Sequence, residues 1–365
     1  MKKPLLGLSM MAEADFVSAI LPLFENNQIE ILEWSFDTFY DVEEPEWLKG
    51  LLDFYSQNNR LIGHGVYYSL FDAKWTERQE EWLNNLKTET EKRHYNHITE
   101  HFGFMNTENF HQGIPLPVSL NSKTLQIGKD RLLRLQDVVN VPIGIENLAF
   151  SFSIEDVKQQ GQFLDQLITD IDGFLILDLH NIYCQAYNFD VQLEEIISAY
   201  PLEKVKEIHL SGGSWNQSIY TKNKLIRRDT HDDAIPEEIL NILPFVLPKC
   251  ENLQYIIIER LGCTIKTKDE KEAFFDDFRR VREIIDSIEY HENNYPAIWE
   301  KKNVNLVSPL EDLQLYEDQT RLTQLLFDDK PELIKSQTFH YFKTDDWDIE
   351  MINTAKSIIK KWNPY

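Results

Sequence analysis

The chain has 365 residues, of which 42% are hydrophobic and 27% charged. This ordinary globular usage excludes disordered, collagenous and low-complexity classes. Lys and Arg number 37 against 61 Asp and Glu, a net charge of −24, which argues against nucleic acid or an anionic membrane as partner, because both need a cationic surface. No apolar run approaches the ~18 residues of a membrane span, and the opening MKKPLLGLSMMAEADFV turns acidic too soon for a signal peptide. Three cysteines without short spacing, Cys184, Cys250 and Cys263, fit a reduced, cytoplasmic protein; neither a disulfide framework nor a CxxC zinc site suits them.

From residue 5 to residue 287, short β-branched runs alternate with amphipathic stretches of helical length. LLGLSM (5–10) precedes a helix over 12–26, and IEILEWSF (29–36) one over 43–58. LIGHGVYY (61–68), HITEHFGF (97–104) and VPIGIENL (141–148) are followed by helices over 76–94, 124–139 and 153–171. GFLILDLHNI (173–182), VKEIHLSGG (205–213) and LQYIIIERLG (253–262) are followed by helices over 190–200, 233–246 and 268–287. Runs such as LILDL and YIII are apolar at consecutive positions, as in strands covered on both faces. Ser153 ahead of Glu155 and Asp156 reads as a helix cap, and Pro236 suits a helix start. Eight such pairs predict an α/β fold, a (β/α)8 TIM-type barrel over residues 1–287. The rival, an open doubly wound sheet, normally carries a Gly-rich phosphate loop after its first strand, where SMMAEAD stands here.

Residues 288–365 break the alternation. YHENNYPAIWEKKNVN (290–305) reads as a linker, followed by a mostly helical extension with helices over 309–327 and 346–361. The extension is acidic and aromatic, with Trp299, Tyr316, Phe327, Phe339, Phe342, Trp347 and Trp362. Partner or peptide docking is its expected role, with plain packing the alternative.

Active sites of such barrels lie at the C-terminal ends of the strands. There the predicted strands carry His64, His101, Glu146, Asp178, His209 and Glu259, and the loop after the seventh adds Asp229 and His231. Taken singly, each has a bland reading: a rim histidine is usually a satisfied packing residue, and Asp178 after an apolar run reads as the cap of the next helix. Together, four imidazoles and four carboxylates in one narrow mouth would stay uncompensated unless cations neutralised them. One catalytic ion takes about three protein ligands, so eight donors suit two or three ions with a carboxylate bridging. Imidazole mixed with carboxylate suits iron, manganese or zinc. A basic cluster, Lys222, Lys224, Arg227 and Arg228, reads either as a solvated loop or as a steering patch for an acidic peptide. Tyr183 and Tyr187 are candidates to line a substrate channel, and Cys184 and Cys263 lack any neighbour that would mark a nucleophile.

The ordered motifs resemble the family of multinuclear non-heme iron-dependent oxidative enzymes. HGVYYSL, ITEHFGF, IPLP and IGIENL are similar to its HGV, SEHL, LPLP and EN segments. LILDLHNIYCQAYNFD, EIHLSGG, RRDTHDD and IIIERLG are similar to its LLDVNNVYVSA, IHLAGH, DTHD and IEWD segments. The resemblance implies that the eight rim residues are metal ligands, with Asn181 as a ninth and Asp178 and His209 central to catalysis. It also implies two or three iron ions of mixed Fe(II)/Fe(III) state, with dioxygen as co-substrate. The substrate would be a cysteine in a ribosomally made precursor peptide, and a partner protein would recognise the leader. Three positions depart from the pattern: His180 where the family has Asn, Gly213 where it has His, and Arg260-Leu261 where it has Trp-Asp. Two other readings are a zinc- or manganese-dependent hydrolase or isomerase on the same barrel and a non-enzymatic metal- or partner-binding protein.

Overall fold

The computed structural model describes residues 2–40, 42–105, 110–111, 113–290, 301, 305–328 and 331–362. Eight parallel strands close on themselves: β1 (Leu5–Ser9), β2 (Ile31–Trp34), β3 (Leu61–His64), β4 (Ile98–His101), β5 (Ile143–Glu146), β6 (Phe174–Asp178), β7 (Val205–Leu210) and β10 (Tyr255–Ile258). β10 pairs with both β1 and β7, which seals the ring. A small antiparallel hairpin, β8 (Trp215–Gln217) and β9 (Leu225–Arg227), interrupts the return from β7 to β10. The outer layer consists of α1 (Ala14–Glu25), α2 (Glu46–Gln57), α3 (Glu77–Lys92), α4 (Ser122–Val138), α5 (Ile154–Ile168), α6 (Leu179–Phe189), α7 (Leu193–Ile197), α8 (Glu237–Val246) and α9 (Lys268–Ser287). This is the (β/α)8 barrel that the alternation predicts. Among the described residues no helix is long and apolar enough to cross a membrane.

The local signals act as chemistry requires. The Ser153 hydroxyl accepts the Asp156 N–H at 3.1 Å at the start of α5, and Pro236 stands immediately before α8. The strands end a few residues earlier than expected, most plainly at β6, which ends at Asp178, so that His180 to Ile182 belong to α6 and not to the strand. Asp178 Oδ1 accepts the Asn181 N–H at 2.5 Å, a cap that turns the chain into a helix as soon as the strand leaves the barrel. The helix expected over 190–200 is only the short α7.

Register decides which side chains meet. Asp178 of β6 lies beside His209 of β7, His101 of β4 beside Glu146 of β5, and His64 of β3 beside Thr99 of β4. Alternate residues of a strand face one side, so Glu207 and His209 enter the barrel together. Ile31, Ile62, Tyr255 and Ile257 form an apolar cluster of their own, separate from the large core that also packs the surrounding helices. The apolar layer is thus topped by a polar one.

Three further helices follow, α10 (Leu313–Phe327), α11 (Pro331–Ile334) and α12 (Ile349–Trp362). The expected linker over 290–305 lies mostly outside the described residues, Trp299 with it. The helices belong to the same hydrophobic core as the barrel, to which they contribute Leu322, Leu326 and Ile352, and the segment before α12 adds Phe342 and Trp347. Gln319 accepts the Ala73 N–H at 3.0 Å and donates to the Phe71 carbonyl at 2.7 Å. Trp347 stacks on Phe152 with ring centroids 3.9 Å apart, and the Asp348 N–H donates to the Phe152 carbonyl at 2.7 Å. Truncating a buried Trp typically costs about 3–5 kcal/mol. Trp347→Ala should therefore lower the unfolding free energy of the whole chain by that amount in urea titration, with the loss seen in barrel fluorescence and far-UV signal alike.

Candidate metal centre

Nine residues that the sequence singled out meet at the C-terminal mouth of the barrel. Three histidines have one ring nitrogen already committed. His64 Nδ1 lies 2.8 Å from Thr99 Oγ1, whose hydroxyl donates to the Gly63 carbonyl; Thr99 therefore accepts from the imidazole. His101 Nδ1 donates to the Gly65 carbonyl at 2.9 Å. Both Nε2 atoms then face Glu146 Oε2, at 3.2 and 3.3 Å. His209 is turned the other way. Its Nε2 lies 3.1 Å from both Glu33 Oε2 and Glu207 Oε1, and its Nδ1 is 3.4 Å from Glu146 Oε1 and from Glu259 Oε2. An imidazole held at one nitrogen by an acceptor presents the other as a metal ligand.

Among the described residues, three groups bring ligand atoms within 4.8 Å of one another: His64, His101 and Glu146; Glu146, Asp178, His209 and Glu259; and Glu33, Glu207 and His209. The first two share Glu146, one oxygen of which serves each. Three buried atoms of the second group, Asp178 Oδ2, His209 Nδ1 and Glu259 Oε2, have no hydrogen-bond partner, nor has Oδ1 of Asn181 beside Glu146. An unsatisfied buried polar atom costs about 1–3 kcal/mol, and more when charged. Four in one place, all oxygen or nitrogen donors, fit a transition-metal ion. Asp178 thus has two roles, with Oδ1 capping α6 and Oδ2 aimed into the cluster.

Electrostatics point the same way. Burial alone would push the imidazoles down, but the surrounding carboxylates hold His64 and His231 above the ordinary value, His209 well above it, and His101 at about 10. Burial likewise would raise Glu146, Glu259 and Asp229, and the imidazoles beside them hold all three down. Asp178 is left out of this pairing. Burial, then Glu146, Asp229 and Glu259, push its carboxyl well above the usual range. Proton-mediated pairing therefore satisfies part of the cluster and leaves Asp178 without a cation.

Asp229 and His231 stand at one side of the mouth, with His231 Nε2 3.0 Å from Asp229 Oδ1 and 3.7 Å from Glu259 Oε2. His231 has a left-handed backbone, φ 51°, unusual for a non-glycine residue and concentrated at functional sites. The Leu261 N–H bonds its carbonyl at 2.8 Å and holds it there. His180 contributes no free donor: Nδ1 binds Asp229 Oδ1 at 2.8 Å and Nε2 accepts from Arg227 Nε at 3.3 Å. Gly213 explains why it fits. A Cβ at position 213 would come within 2.8 Å of His180 Cε1 and 2.1 Å of the Arg228 carbonyl. Arg260 donates from Nε to Thr264 at 2.9 Å.

A cavity of about 480 Å³ opens above the cluster, lined by His64, His101, Glu146, Asn181, Asp229, His231 and Glu259. Asp178 and His209, both fully buried, lie under its floor and do not line it. A larger groove of about 1000 Å³ runs outside the barrel along α6, α7 and β9, away from the nine residues. Tyr183 and Tyr187 line that groove and not the site cavity, because α6 has turned them outward. Cys184 is buried, which pushes its thiol well up, and Cys263 is exposed on a short helical turn. Sequence reasoning missed Glu33, Glu207 and His97. His97 Nε2 lies 2.6 Å from Glu207 Oε2. Glu207 was legible as the position two before His209; Glu33 required the barrel to close.

Residues 11–270, well over half of the chain, match the family described as RiPP precursor modification enzyme MbnB/TglH/ChrH. The chain belongs to this family. Its relatives include a UPF0276 protein of Caulobacter vibrioides, 26% identical over 177 residues, 48% of this chain and 60% of that protein. Another, from Acinetobacter baylyi, is 23% identical over 190 residues, 52% and 63% of the two chains. The matches thus span somewhat under two thirds of these relatives' length. In fold, the chain is similar to a xylose isomerase domain protein from Planctomyces limnophilus, with a TM-score of 0.50 and 9% identity over 77% of this chain and 96% of that one. Family members modify ribosomally made precursor peptides, as the family's description states.

The need for a glycine at position 213, set by the Arg228 carbonyl and by His180, can be tested directly. Overpacking a filled site costs about 1–3 kcal/mol, so Gly213→Ala should lose that much stability in urea titration.

Proposed function

We propose that the protein is an iron-dependent, dioxygen-using enzyme that oxidatively modifies a ribosomally made precursor peptide, at a cysteine. The observation that carries this is the donor set around Glu146: three imidazoles with one nitrogen each turned inward, and four buried atoms without a hydrogen-bond partner. His64, His101 and Glu146 would hold one ion, and Glu146, Asp178, His209 and Glu259 a second. Asp229 and His231, with Asn181, are the candidates for a third. Bound iron supplies Lewis acidity toward a thiolate and one-electron chemistry with dioxygen.

The protein's own residues prepare that chemistry. Thr99 and the Gly65 carbonyl keep the protons of His64 and His101 on Nδ1, and Glu33 and Glu207 face the proton of His209 on Nε2. Such outer partners orient a ligand and raise its basicity. Met11, Tyr67, Ile114, Leu148, Leu261 and Ile358 give the cavity an apolar wall, which excludes water from a bound side chain. Asp178 and His209 act by holding ions, since neither reaches the cavity. Residues 1–287 form the catalytic barrel in this reading, residues 288–365 form an extension for partner or peptide docking, and α12 of that extension lines the cavity. A partner protein that recognises the leader peptide completes the assembly, in the cytoplasm.

Anaerobic purification followed by metal analysis and Mössbauer and EPR spectroscopy should find coupled iron of mixed valence. Oxygen admitted with a cysteine-bearing peptide should then produce a mass change that is absent under argon. Full occupancy by zinc with oxygen-independent turnover would replace this reading with the hydrolase or isomerase one. Asp178→Ala and His209→Ala should each lose most of the bound iron while the far-UV spectrum stays close to wild type; variants that retain full metal and activity would sink the ligand assignment.

A further inference from the structure

The basic cluster of the loop before Asp229 separates into different fates once folded. Arg227 is buried, bonds His180, and lies over the rings of Trp215 and Tyr183 at 4.6 and 5.5 Å. Lys224 faces the groove outside the barrel and Lys222 is exposed. Only Arg228 lines the cavity above the metal centre. It also borders the crevice between the hairpin and α12, and is partly withdrawn from solvent.

Its partners are missing. Among the described residues the Arg228 guanidinium makes no ion pair within 4.0 Å and no side-chain hydrogen bond. Asp229, next in the chain, is engaged by His180 and His231 at 2.8 and 3.0 Å instead. Arg228 is partly withdrawn from solvent, so an anion arriving at the cavity wall meets a cation that water does not fully surround. In a chain with a net charge of −24, this arginine lines the cavity with no carboxylate in ion-pair distance among the described residues. Lys361 of α12 lines the same cavity and adds positive charge to that wall.

We propose that Arg228 forms a carboxylate-binding subsite of the cavity. A peptide bound with its reacting side chain over Glu146 would place a carboxylate, from an acidic side chain or from its own C-terminus, against the guanidinium. A planar guanidinium takes a carboxylate through two parallel N–H bonds, which fixes orientation as well as charge. The subsite rests on the peptide-substrate reading above and deepens it, by naming the group in the substrate that the protein selects.

The test measures binding, without turnover. Four N-acetylated hexapeptides with one central cysteine carry Glu or Gln two positions after it, and end in a free carboxylate or an amide. Each is titrated calorimetrically under argon into the full chain as purified, whatever metal it holds, at constant ionic strength. The wild type should bind carboxylate-bearing peptides about 10–100-fold more tightly than the Gln amide, and the arm that carries the difference identifies the source. Arg228→Gln should abolish the preference with metal content and far-UV spectrum unchanged, and Arg228→Lys should keep part of it. Equal binding of all four peptides by the wild type, binding of none, or a preference that survives in Arg228→Gln overturns the subsite. A uniform loss for all four in Arg228→Gln also overturns it, because it would mark an arginine that only positions Asp229. Since no oxygen chemistry is involved, failure of the iron reading leaves the preference measurable, and equal binding by an oxygen-active enzyme removes the subsite alone.

Discussion

Glu146 is the residue on which the rest of the site turns. One of its oxygens faces His64 and His101 and the other faces His209, each within 3.4 Å, in a cluster removed from bulk water. Removing a charge from water costs several kcal/mol even after relaxation, comparable with a large share of the stability of a whole domain. The imidazoles offset this for Glu146 and Glu259 but not for Asp178, whose neighbours are mostly acids. Asp178 Oδ2 thus stands in a donor set of the kind that suits a cation coordinating oxygen and nitrogen together.

The layer beneath gives the site its direction. Glu33, Glu207 and His97 lie below His209, in a barrel whose lower interior is filled by isoleucine and tyrosine. His97 is kept neutral by burial, at about 4, while Glu207 is held low by His97 and His209 against its own burial. Glu207 and Glu33 face Nε2 of His209, which leaves Nδ1 as the atom turned toward Glu146 and Glu259. The departures from the family's motifs at His180 and Gly213 belong to one local arrangement. A small residue at position 213 leaves room for the imidazole that grips Asp229, and Arg227 closes the other side of that imidazole.

The C-terminal helices tie access to the site to the stability of the barrel. α10 is clamped to the loop after β3 through Gln319, Trp347 packs face to face on Phe152, and α12 brings Ser357, Ile358 and Lys361 to the cavity wall. Two aromatics of this extension, Phe342 and Trp347, are interior residues. Their hydrophobic area stabilises the same core that fixes the strands, so the cover over the mouth cannot loosen without disturbing the barrel beneath it.

The alternation of apolar runs and amphipathic stretches determined the barrel, because eight repeats of one supersecondary unit leave few ways to bury both faces of every strand. The same rule of strand ends located His64, His101, Glu146, Asp178, His209 and Glu259, since topology alone sends the ends of parallel strands to one rim. What sequence could not decide is anything that depends on a side chain's neighbour across the barrel. Glu33 and Glu207 read as ordinary strand acids until closure placed them under His209. Tyr183 and Tyr187 read as channel residues until the Asp178 cap rotated α6 and sent them outside. Arg228 was one of four similar basic residues until the hairpin turned it alone toward the cavity. Periodicity along one chain specifies which face a residue takes; only closure of the sheet and packing of the loops over it specify what that face meets.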